Sequence, residues 1–363
     1  MSDSIKETLQ FAVVEPRAAT VPQPVEKKGW GAAKYVQFGE DNKYPDFLLE
    51  CYENCAVLQS IINRLADYVA GSGVDDEQQG EREVNTDGLT LNDLVKKCTV
   101  DYLIFGAFAV GVRRNREHNI SELDYHDPRR IRLTEDGSEV VYSKDWKSSG
   151  SKTVTLPVYK ESDRSPNQAI MYVKSNTSRT LYGRPMWSAV VKDVQTAIEI
   201  SNFHLSAIRN NFNGSAVVNF NNGTPDDETR KDIEKRINEK FAGASNAGRI
   251  VVSFNDDKDH QTTIGALPQN NFDQKYNALS KSVRENIFIA FSAQPQLLGS
   301  DPEHTGFNAT EFEQAFKLFR ETVVTPLQKE IERAFSRLGE EYTFKLNEFS
   351  IDFGNNGEEA ING

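Results

Sequence analysis

The stretch Phe288–Gly299, FIAFSAQPQLLG, ends a helical pattern on an apolar elbow that contains a proline. Apolar residues recur at helical spacing before the elbow, over Asn270–Phe291, and again in a long run that begins after Asn308. Proline fixes φ and removes a backbone donor, so the helix is not expected to continue through Pro295. The polar segment Ser300–Phe307 lies between the two helical patterns. A catalytic loop and a mechanical loop are both consistent with this arrangement.

A small insert precedes the helix that leads into the elbow. Met186–Phe212 is predicted to be one long helix and Asn270–Phe291 another. Between them, the apolar residues of 214–220 and 248–254 predict two strands. Thr224–Phe241 predicts a helix, because a threonine, a proline and two aspartates open it in an order that favours a helix start. Its apolar stripe is thin, which favours packing mainly on neighbouring chains and partners.

The first half of the chain is predicted to combine helices with strands. Residues 1–40 are rich in proline, alanine and valine, and they predict an extended arm that is either disordered or docked. Tyr44–Ala70 is helical in pattern, with a break near Asn54 and a glycine stop at Gly71. Leu91–Val112 is a second helical pattern, and alternating segments separated by turn residues follow it. The predicted fold class is α+β.

The last long helix contains a proline inside its apolar pattern. Pro326 either kinks one helix or starts a second, with Thr325 as the cap and Gln328 completing a capping box. After this helix, the segment 340–353, EEYTFKLNEFSIDF, is predicted to be a strand.

The composition is acidic and polar. The 363 residues carry 54 acidic and 42 basic side chains, for a formal net charge of −12. A protein that grips nucleic acid through its phosphates needs a basic field, so any contact with DNA should be weak. Three cysteines do not make a disulfide scaffold. The longest apolar run, Ile104–Val112, is too short to span a bilayer, and the N terminus lacks a signal-peptide pattern.

No catalytic or cofactor motif is recognisable. The sequence has no phosphate-binding P-loop, no G-x-S-x-G nucleophile elbow and no H-E-x-x-H zinc pattern. Cys51 and Cys55 are four residues apart, but Cys98 alone cannot complete a four-thiolate site, so buried helix cysteines are expected instead of a metal clip. Gly71-Ser72-Gly73 is interpreted as a helix stop. We therefore assign no catalytic, cofactor-binding or metal residue and expect no cofactor.

One group of polar residues leaves an enzymatic alternative open. Paired carboxylates could hold a divalent ion in a metal-dependent hydrolase or nuclease, although helix-start and turn chemistry also accounts for them: Asp226, Asp227, Asp256 and Asp257. The histidines are scattered and are expected at the surface: His118, His126, His204, His260 and His304.

Four blocks of sequence stand in a distinctive order. The early block is DYLIFGAFAVGVRR, 101–114, followed by LDYHDPRRIRL, 123–133. The central block, 181–218, has a Tyr-Gly entry, a long helix and Phe-Asn-Gly before a strand. A glycine-rich return, FAGASNAGRIVVSF, occupies 241–254, and the elbow with its flanking helices occupies 283–335. In this order the chain resembles the portal protein family of tailed bacteriophages, of the long-tailed phage or prophage type.

The likeness covers roughly residues 40–340 and implies a portal-type fold. That fold has an α/β wing, two long stem helices, a small α/β clip insert, a tunnel loop and a long kinked helix. Portal rings typically contain about twelve subunits at one capsid vertex, and DNA passes through the central tunnel. The implied division is an N-terminal arm at 1–40, wing at 41–183, stem helix at 184–212, clip at 213–269, stem helix at 270–292, tunnel loop at 293–308, wing or crown-base helix at 309–345 and tail at 346–363.

The resemblance also implies site residues. The DNA-facing tip of the tunnel loop would comprise Ser300, Asp301, Glu303, His304, Thr305 and Phe307. The apolar anchor of that loop would comprise Phe291, Pro295, Leu297, Leu298 and Gly299. The clip surface that docks the motor and connector would comprise Asp226, Asp227, Arg230, Lys231 and Glu234. Lys317 and Arg320 are the nearest basic candidates for light phosphate contact, with a solvated or salt-bridged face as the alternative.

The implied partners are further copies in the ring, the terminase large subunit, the major capsid or scaffold protein, a head–tail adaptor and double-stranded DNA held without sequence preference. No membrane partner is expected. The implied location is the portal vertex of the virion, with assembly in the host cytoplasm. The chain is short for the family, so little or no helical crown is expected. A different ring, connector or scaffold protein of the virion remains an alternative, beside the hydrolase.

Overall fold

The computed structural model describes residues 21–28, 35–146, 152–209, 216–220, 228–229, 250–254, 272–298 and 309–349. The predicted helix Thr224–Phe241 lies outside these residues, except that Glu228 and Thr229 are helical. Among the described helices, none combines the length with the apolar character that crossing a lipid bilayer requires.

Helices and strands alternate along the described residues, as an α+β fold requires. The helices are α1 (Tyr44–Asn54), α2 (Ala56–Ala70), α3 (Glu77–Gly80), α4 (Leu91–Phe105), α5 (Val191–Arg209), α6 (Phe272–Ala290), α7 (Ala309–Phe319) and α8 (Thr325–Ser336). The strands are β1 (Glu26–Lys28), β2 (Val36–Phe38), β3 (Ala107–Arg114), β4 (Ile120–His126), β5 (Ile131–Leu133), β6 (Glu139–Ser143), β7 (Thr153–Pro157), β8 (Gln168–Lys174), β9 (Ala216–Phe220) and β10 (Ile250–Phe254).

The strands form small sheets against which the helices pack. Two sheets are three-stranded and antiparallel, with strand orders β4-β3-β8 and β5-β6-β7. β1 pairs antiparallel with β2, and β9 pairs parallel with β10. A parallel pair needs a crossover between its strands, which agrees with the predicted strand–helix–strand insert. The apolar faces of α1, α2 and α4 line the main core.

The helical pattern predicted over Leu91–Val112 is wrong after Phe105. The side chain of Thr90 caps the start of α4, and Gly106 ends the helix in the left-handed region with φ +70°. β3 begins at the next residue, and its first six residues are buried. A short apolar run that is buried on both faces shows no alternation, so periodicity alone does not distinguish it from helix.

The last helix is continuous, and the predicted capping box is wrong. A π-helical turn, Arg320–Val324, joins α7 to α8. Thr325 already has helical dihedrals, φ −60° and ψ −41°, so it is not a cap. Pro326 falls in the first turn of α8, where its missing N–H costs little. The side chain of Gln328 donates to the backbone oxygen of Val69 at 3.0 Å instead of closing a box.

The strand predicted over 340–353 is wrong in its described part. Glu340–Tyr342 forms a 3₁₀ turn, and the chain then makes an isolated antiparallel bridge between Val74 and Leu346. Residues Lys345–Phe349, the C-terminal strap, cross the end of α2. The apolar and polar residues alternate here as in a strand, but their backbone partners lie in a turn and not in a sheet.

The glycines after α2 do more than stop the helix. Gly71 has φ +55°, and a Cβ on it would lie 1.8 Å from the backbone oxygen of Asn347 in the strap. Asn347 in turn donates its backbone N–H to the oxygen of Gly73 at 2.8 Å. The predicted helix stop at Gly71-Ser72-Gly73 is therefore confirmed, and the absence of side chains also lets the strap approach the backbone.

A second close approach, the glycine joint of Gly106 and Gly183, connects the sheet to the long helices. A Cβ on Gly106 would lie 2.1 Å from the carbonyl carbon of Arg184. A Cβ on Gly183 would lie 2.2 Å from the oxygen of Gly106. Just beyond the joint, the buried indole of Trp187 donates to the oxygen of Leu103 at 3.0 Å. These contacts fix where the chain leaves the sheet and enters α5.

The two long helices pack against each other. The helix predicted from Met186 begins as a 3₁₀ turn, Met186–Val190, and becomes α-helical at Val191. The side chain of Asn286 on α6 donates to Asp193 on α5 at 2.8 Å. Farther along, the ring of Phe203 stacks on Tyr276 with centroids 5.0 Å apart. The helix predicted over Asn270–Phe291 is confirmed over Phe272–Ala290.

The described part of the N-terminal arm is docked. The backbone N–H of Tyr182 donates to the carboxylate of Glu26 at 2.9 Å. The guanidinium of Arg184 donates to the oxygen of Pro24 at 3.3 Å. Of the two predictions for the arm, the docked one therefore holds for residues 21–28, which lie against the segment that enters α5.

Asp101 on α4 is a buried carboxyl, 7% exposed, whose Oδ2 has no hydrogen-bond partner. It lies in an open groove of about 430 Å³ that is also lined by Lys97 and Tyr125. Burial raises the pKa of Asp101 well above its usual value, although the hydrogen bond from Tyr125 opposes the shift. The folded chain therefore holds a proton at pH values where the unfolded chain has lost it.

Asp101→Asn is expected to stabilise the protein progressively as the pH rises. At pH values above the pKa of Asp101 in the unfolded chain, the folded wild type binds more protons than the unfolded wild type. The unfolding free energy of the wild type therefore falls as the pH rises toward the pKa of Asp101 in the folded chain. The advantage of the variant should grow by up to about 1.4 kcal/mol per pH unit in that window. Urea unfolding at pH 5 and pH 8 measures it, with Asp93→Asn, an exposed position on the same helix, as the control. An advantage that is equal at both pH values would contradict the assignment.

Candidate functional site

The elbow after α6 is a buried, hydrogen-bonded turn. Phe291 is fully buried, and Ser292 adopts a left-handed φ of +49°. The N–H of Ala293 returns to the oxygen of Phe288 at 3.1 Å, which closes the end of the helix. Pro295–Leu298 then forms a 3₁₀ turn. This local geometry explains why an apolar sequence with a proline follows a helix here: the helix end must be both stopped and buried.

Tyr68 on α2 stabilises the elbow, although it is far from the elbow in the sequence. Its hydroxyl donates to the oxygen of Leu297 at 2.7 Å, and the residue is 4% exposed. Burial raises the pKa of Tyr68, so the hydroxyl stays a donor at physiological pH. Sequence reasoning missed this residue. The available signal was a tyrosine within the apolar face of α2, but its partner lies 229 positions away.

The helix after the proposed tunnel loop packs on the same tyrosine. The rings of Phe316 and Phe319 meet Tyr68 edge-on, with centroids 5.4 Å and 6.3 Å away. Both flanks of the segment 299–308 are thus held by one side chain of α2. Of the predicted anchor residues, Phe291 and Leu297 are buried in the main core, whereas their role toward a loop stays a prediction.

The two basic candidates differ in their surroundings. Lys317 is exposed on α7. Arg320 makes an ion pair with Glu348 of the C-terminal strap at 2.7 Å, which matches the salt-bridged alternative. This pair is half-exposed, so it contributes at most about 1 kcal/mol to stability. Contact of either side chain with phosphate stays a prediction.

Several predicted site residues lie outside the described residues. They are the loop tip Ser300, Asp301, Glu303, His304, Thr305 and Phe307, the anchor residue Gly299, and the clip residues Asp226, Asp227, Arg230, Lys231 and Glu234. The same holds for Asp256, Asp257, His260 and His304 of the alternatives. For Leu298 only the backbone is described.

The histidines and cysteines among the described residues contact neighbouring parts of the fold. His118 bonds the oxygen of Arg164 through Nδ1 at 3.0 Å, and His204 packs edge-on against Tyr276. His126 is partly buried, and burial lowers its pKa, so the prediction of a surface position is wrong for it. The thiols of Cys51, Cys55 and Cys98 are free and buried, as predicted for the first two. Over the described ranges, no three metal-binding side chains come together.

Comparison with known proteins gives a family match over most of the chain. A family model described as "Phage portal protein" matches residues 85–360. An uncharacterized protein of Rickettsia bellii (strain RML369-C) is 29% identical over 151 residues, which are 41% of this chain and 36% of the relative. The chain therefore matches about a third of the length of that curated relative.

Solved structures share the fold. A chain in the neck of a native gene transfer agent particle, computed with C12 symmetry, matches with a TM-score of 0.52 and 16% identity, over 84% of each chain. A crystallised HK97-family phage portal protein from Corynebacterium diphtheriae matches with a TM-score of 0.50 and 12% identity, over 82% of this chain and 94% of that one. At these identities the likeness shows the fold alone, and it is the portal fold that the sequence blocks predicted. With the family model spanning the insert, the elbow and the last helices, the chain belongs to the phage portal protein family.

Proposed function

We propose that this chain forms a ring at one vertex of a capsid and that double-stranded DNA passes through the ring during packaging and ejection. The role is structural and not enzymatic. A neck chain of similar fold stands in a particle computed with C12 symmetry, which supports a ring of about twelve copies. The virion would be its final location, and the host cytoplasm the place of assembly.

The observation that carries the proposal is the apolar surface of the long helices. α5 and α6 pack on each other, yet they leave four large apolar side chains about half-exposed or more: Phe203, Leu205, Leu279 and Ile289. Ile289 is 71% exposed. Burial of these side chains against another chain would remove their apolar area from water, which favours association. Side-by-side repetition around a closed ring buries them, because a heterologous interface closes when its rotation does.

The tunnel loop proposed for 293–308 would face DNA with its polar tip. Asp301, Glu303 and His304 would give a lining that is near neutral to negative. Strong phosphate pairing holds DNA tightly, so a lining with little positive charge would let DNA slide. The buried elbow supports this division, since its hydrogen bonds fix the backbone at the start of the proposed loop.

The insert 213–269 would form the clip. Asp226, Asp227, Arg230, Lys231 and Glu234 give the predicted helix alternating charge, which suits a polar docking surface. The partners proposed for this surface are the terminase large subunit during packaging and a head–tail adaptor afterwards. The major capsid or scaffold protein would contact the α/β wing.

Negative-stain microscopy of the purified full chain tests the ring. Views down the symmetry axis should show rings with a central hole. Light scattering should give a mass of roughly half a megadalton for twelve copies of a 40.8 kDa chain. Uniform small particles that persist at high protein concentration would refute the ring.

Deletion of 300–307 is expected to leave the ring intact and to impair packaging or retention of DNA. The anchor contacts of the elbow and of α7 lie outside the deleted residues, so assembly should be preserved. Ring mass and DNA content of assembled particles measure the two effects separately. The triple substitution Asp301→Asn, Glu303→Gln and His304→Asn keeps the loop length and changes only its charge, so it separates loss of charge from loss of the loop. Normal DNA content in the deletion variant would contradict a role for this loop.

A further inference from the structure

Tyr68 is the centre of a cluster that joins three separate segments of the chain. The Tyr68 hub consists of Tyr68, Leu297 of the elbow, Phe316 and Phe319 of α7, and Phe349 of the C-terminal strap. The first contact is a hydrogen bond of 2.7 Å, and the others are edge-on ring contacts. Phe349 lies 5.1 Å from Tyr68 between ring centroids, with an interplanar angle of 69°. The strap therefore reaches the base of the proposed tunnel loop through Tyr68.

The strap is held against α2 and against the π-helical turn. Asn347 donates to Gly73 at 2.8 Å and passes over Gly71, where a Cβ would leave no room. Glu348 pairs with Arg320 in the π-helical turn at 2.7 Å. π-helical turns are rare and occur often at functional sites. The strap thus contacts the end of α2, the π-helical turn and the hub at once.

The interior of the hub is filled. The space between Tyr68, the π-helical turn and the strap is too small to hold a water molecule. The amide of Gln328 occupies one side and donates to the oxygen of Val69 at 3.0 Å. A close-packed cluster transmits displacement, because its side chains have no free space into which they can move. A gap would remove van der Waals contacts from every side chain that lines it. Loss of Phe349 would expose Tyr68 directly.

We propose that Tyr68 is a positioning residue for the tunnel loop and that the C-terminal strap locks it. With the strap in place, the hydroxyl of Tyr68 stays bonded to Leu297 and its ring stays packed on α7. The distance between the two flanks of the loop is therefore fixed. Release of the strap frees the tyrosine and loosens both flanks together. The consequence for DNA rests on the proposed function, whereas the coupling of strap and elbow does not.

Hydrogen–deuterium exchange of the full chain tests the coupling. Tyr68→Phe removes the hydroxyl alone, and we expect about fivefold faster exchange at the amides of Ser292, Ala293 and Leu297. Phe349→Ala should accelerate the same amides by a similar factor, although Phe349 reaches the elbow through Tyr68. Phe349→Leu should restore most of the protection. Tyr52→Phe is the matched control, because the hydroxyl of Tyr52 donates to Asn63 at 2.6 Å on exposed surface of α1 and α2.

The outcomes separate this inference from the proposed function. Exchange at the three amides that stays within twofold of wild type in Phe349→Ala would overturn the lock, and the same result in Tyr68→Phe would overturn the positioning role. Where rings form, Phe349→Ala should keep the ring mass and lower DNA retention. If the wild type forms no ring, the proposed function fails, and the exchange comparison still decides the coupling.

Discussion

Gly106→Ala is expected to lower the free energy of unfolding by about 4 kcal/mol or more and to leave little soluble protein. Two effects add at this position. The left-handed φ of +70° strains any side chain, at a cost of about 1–2 kcal/mol. The new Cβ would also lie 2.1 Å from the backbone of Arg184, which no side-chain rotation can relieve. Urea unfolding followed by circular dichroism measures the loss, together with soluble yield.

Two other glycines distinguish the free-energy cost of backbone strain from that of a steric clash. Gly88 has φ +78°, and a Cβ on it would meet only the Glu83 carboxylate at an ordinary 3.9 Å, so Gly88→Ala should cost about 1–2 kcal/mol from strain alone. Gly183 lacks a positive φ, but its Cβ would lie 2.2 Å from the oxygen of Gly106. Gly183→Ala should therefore approach the effect of Gly106→Ala and exceed that of Gly88→Ala. Equal effects at Gly88 and Gly183 would refute the close approach.

Local pattern was enough to predict most helices and strands. The break near Asn54, the stop at Gly71 and the long helix before the elbow all follow from residues that are near one another in sequence. Each of these features depends on the spacing of apolar side chains or on a turn residue, which the chain carries locally. The error over Ala107–Val112 arises because a buried apolar run looks alike in helix and strand.

Contacts between segments that are far apart in the sequence cannot be predicted from local patterns. Arg132 is fully buried, and its guanidinium donates to the oxygens of Asn42 and Ile131 at 2.6 Å each. An arginine is expected at the surface from sequence, and only the fold supplies these acceptors. The Tyr68 hub is missed for the same reason. The elbow was recognisable from its apolar residues and proline, but the side chain that holds it lies on another helix.

Ile289→Glu is expected to dissociate the proposed ring into particles near the 40.8 kDa mass of one chain. Ile289 is 71% exposed on α6, the helix whose surface would meet the neighbouring copy. A carboxylate that is buried there without a partner costs about 3–5 kcal/mol at each interface. The ring repeats that interface with every subunit, and it closes only when all of them form. Size-exclusion chromatography with light scattering, over a range of protein concentrations, measures the change.

Two variants control for charge and for shape. Asn277→Glu adds the same charge at an exposed polar position of α6, and Ile289→Leu keeps an apolar side chain of similar volume. Both should retain the mass of the wild-type ring. If Ile289→Glu also retains it, this side chain faces solvent in the ring and α6 does not present Ile289 to a neighbour. If Asn277→Glu dissociates the ring as well, net charge on the helix decides assembly, and the apolar residues are not its cause. Only the combination of a dissociated Ile289→Glu with two intact controls locates the subunit interface on the exposed apolar surface of the long helices.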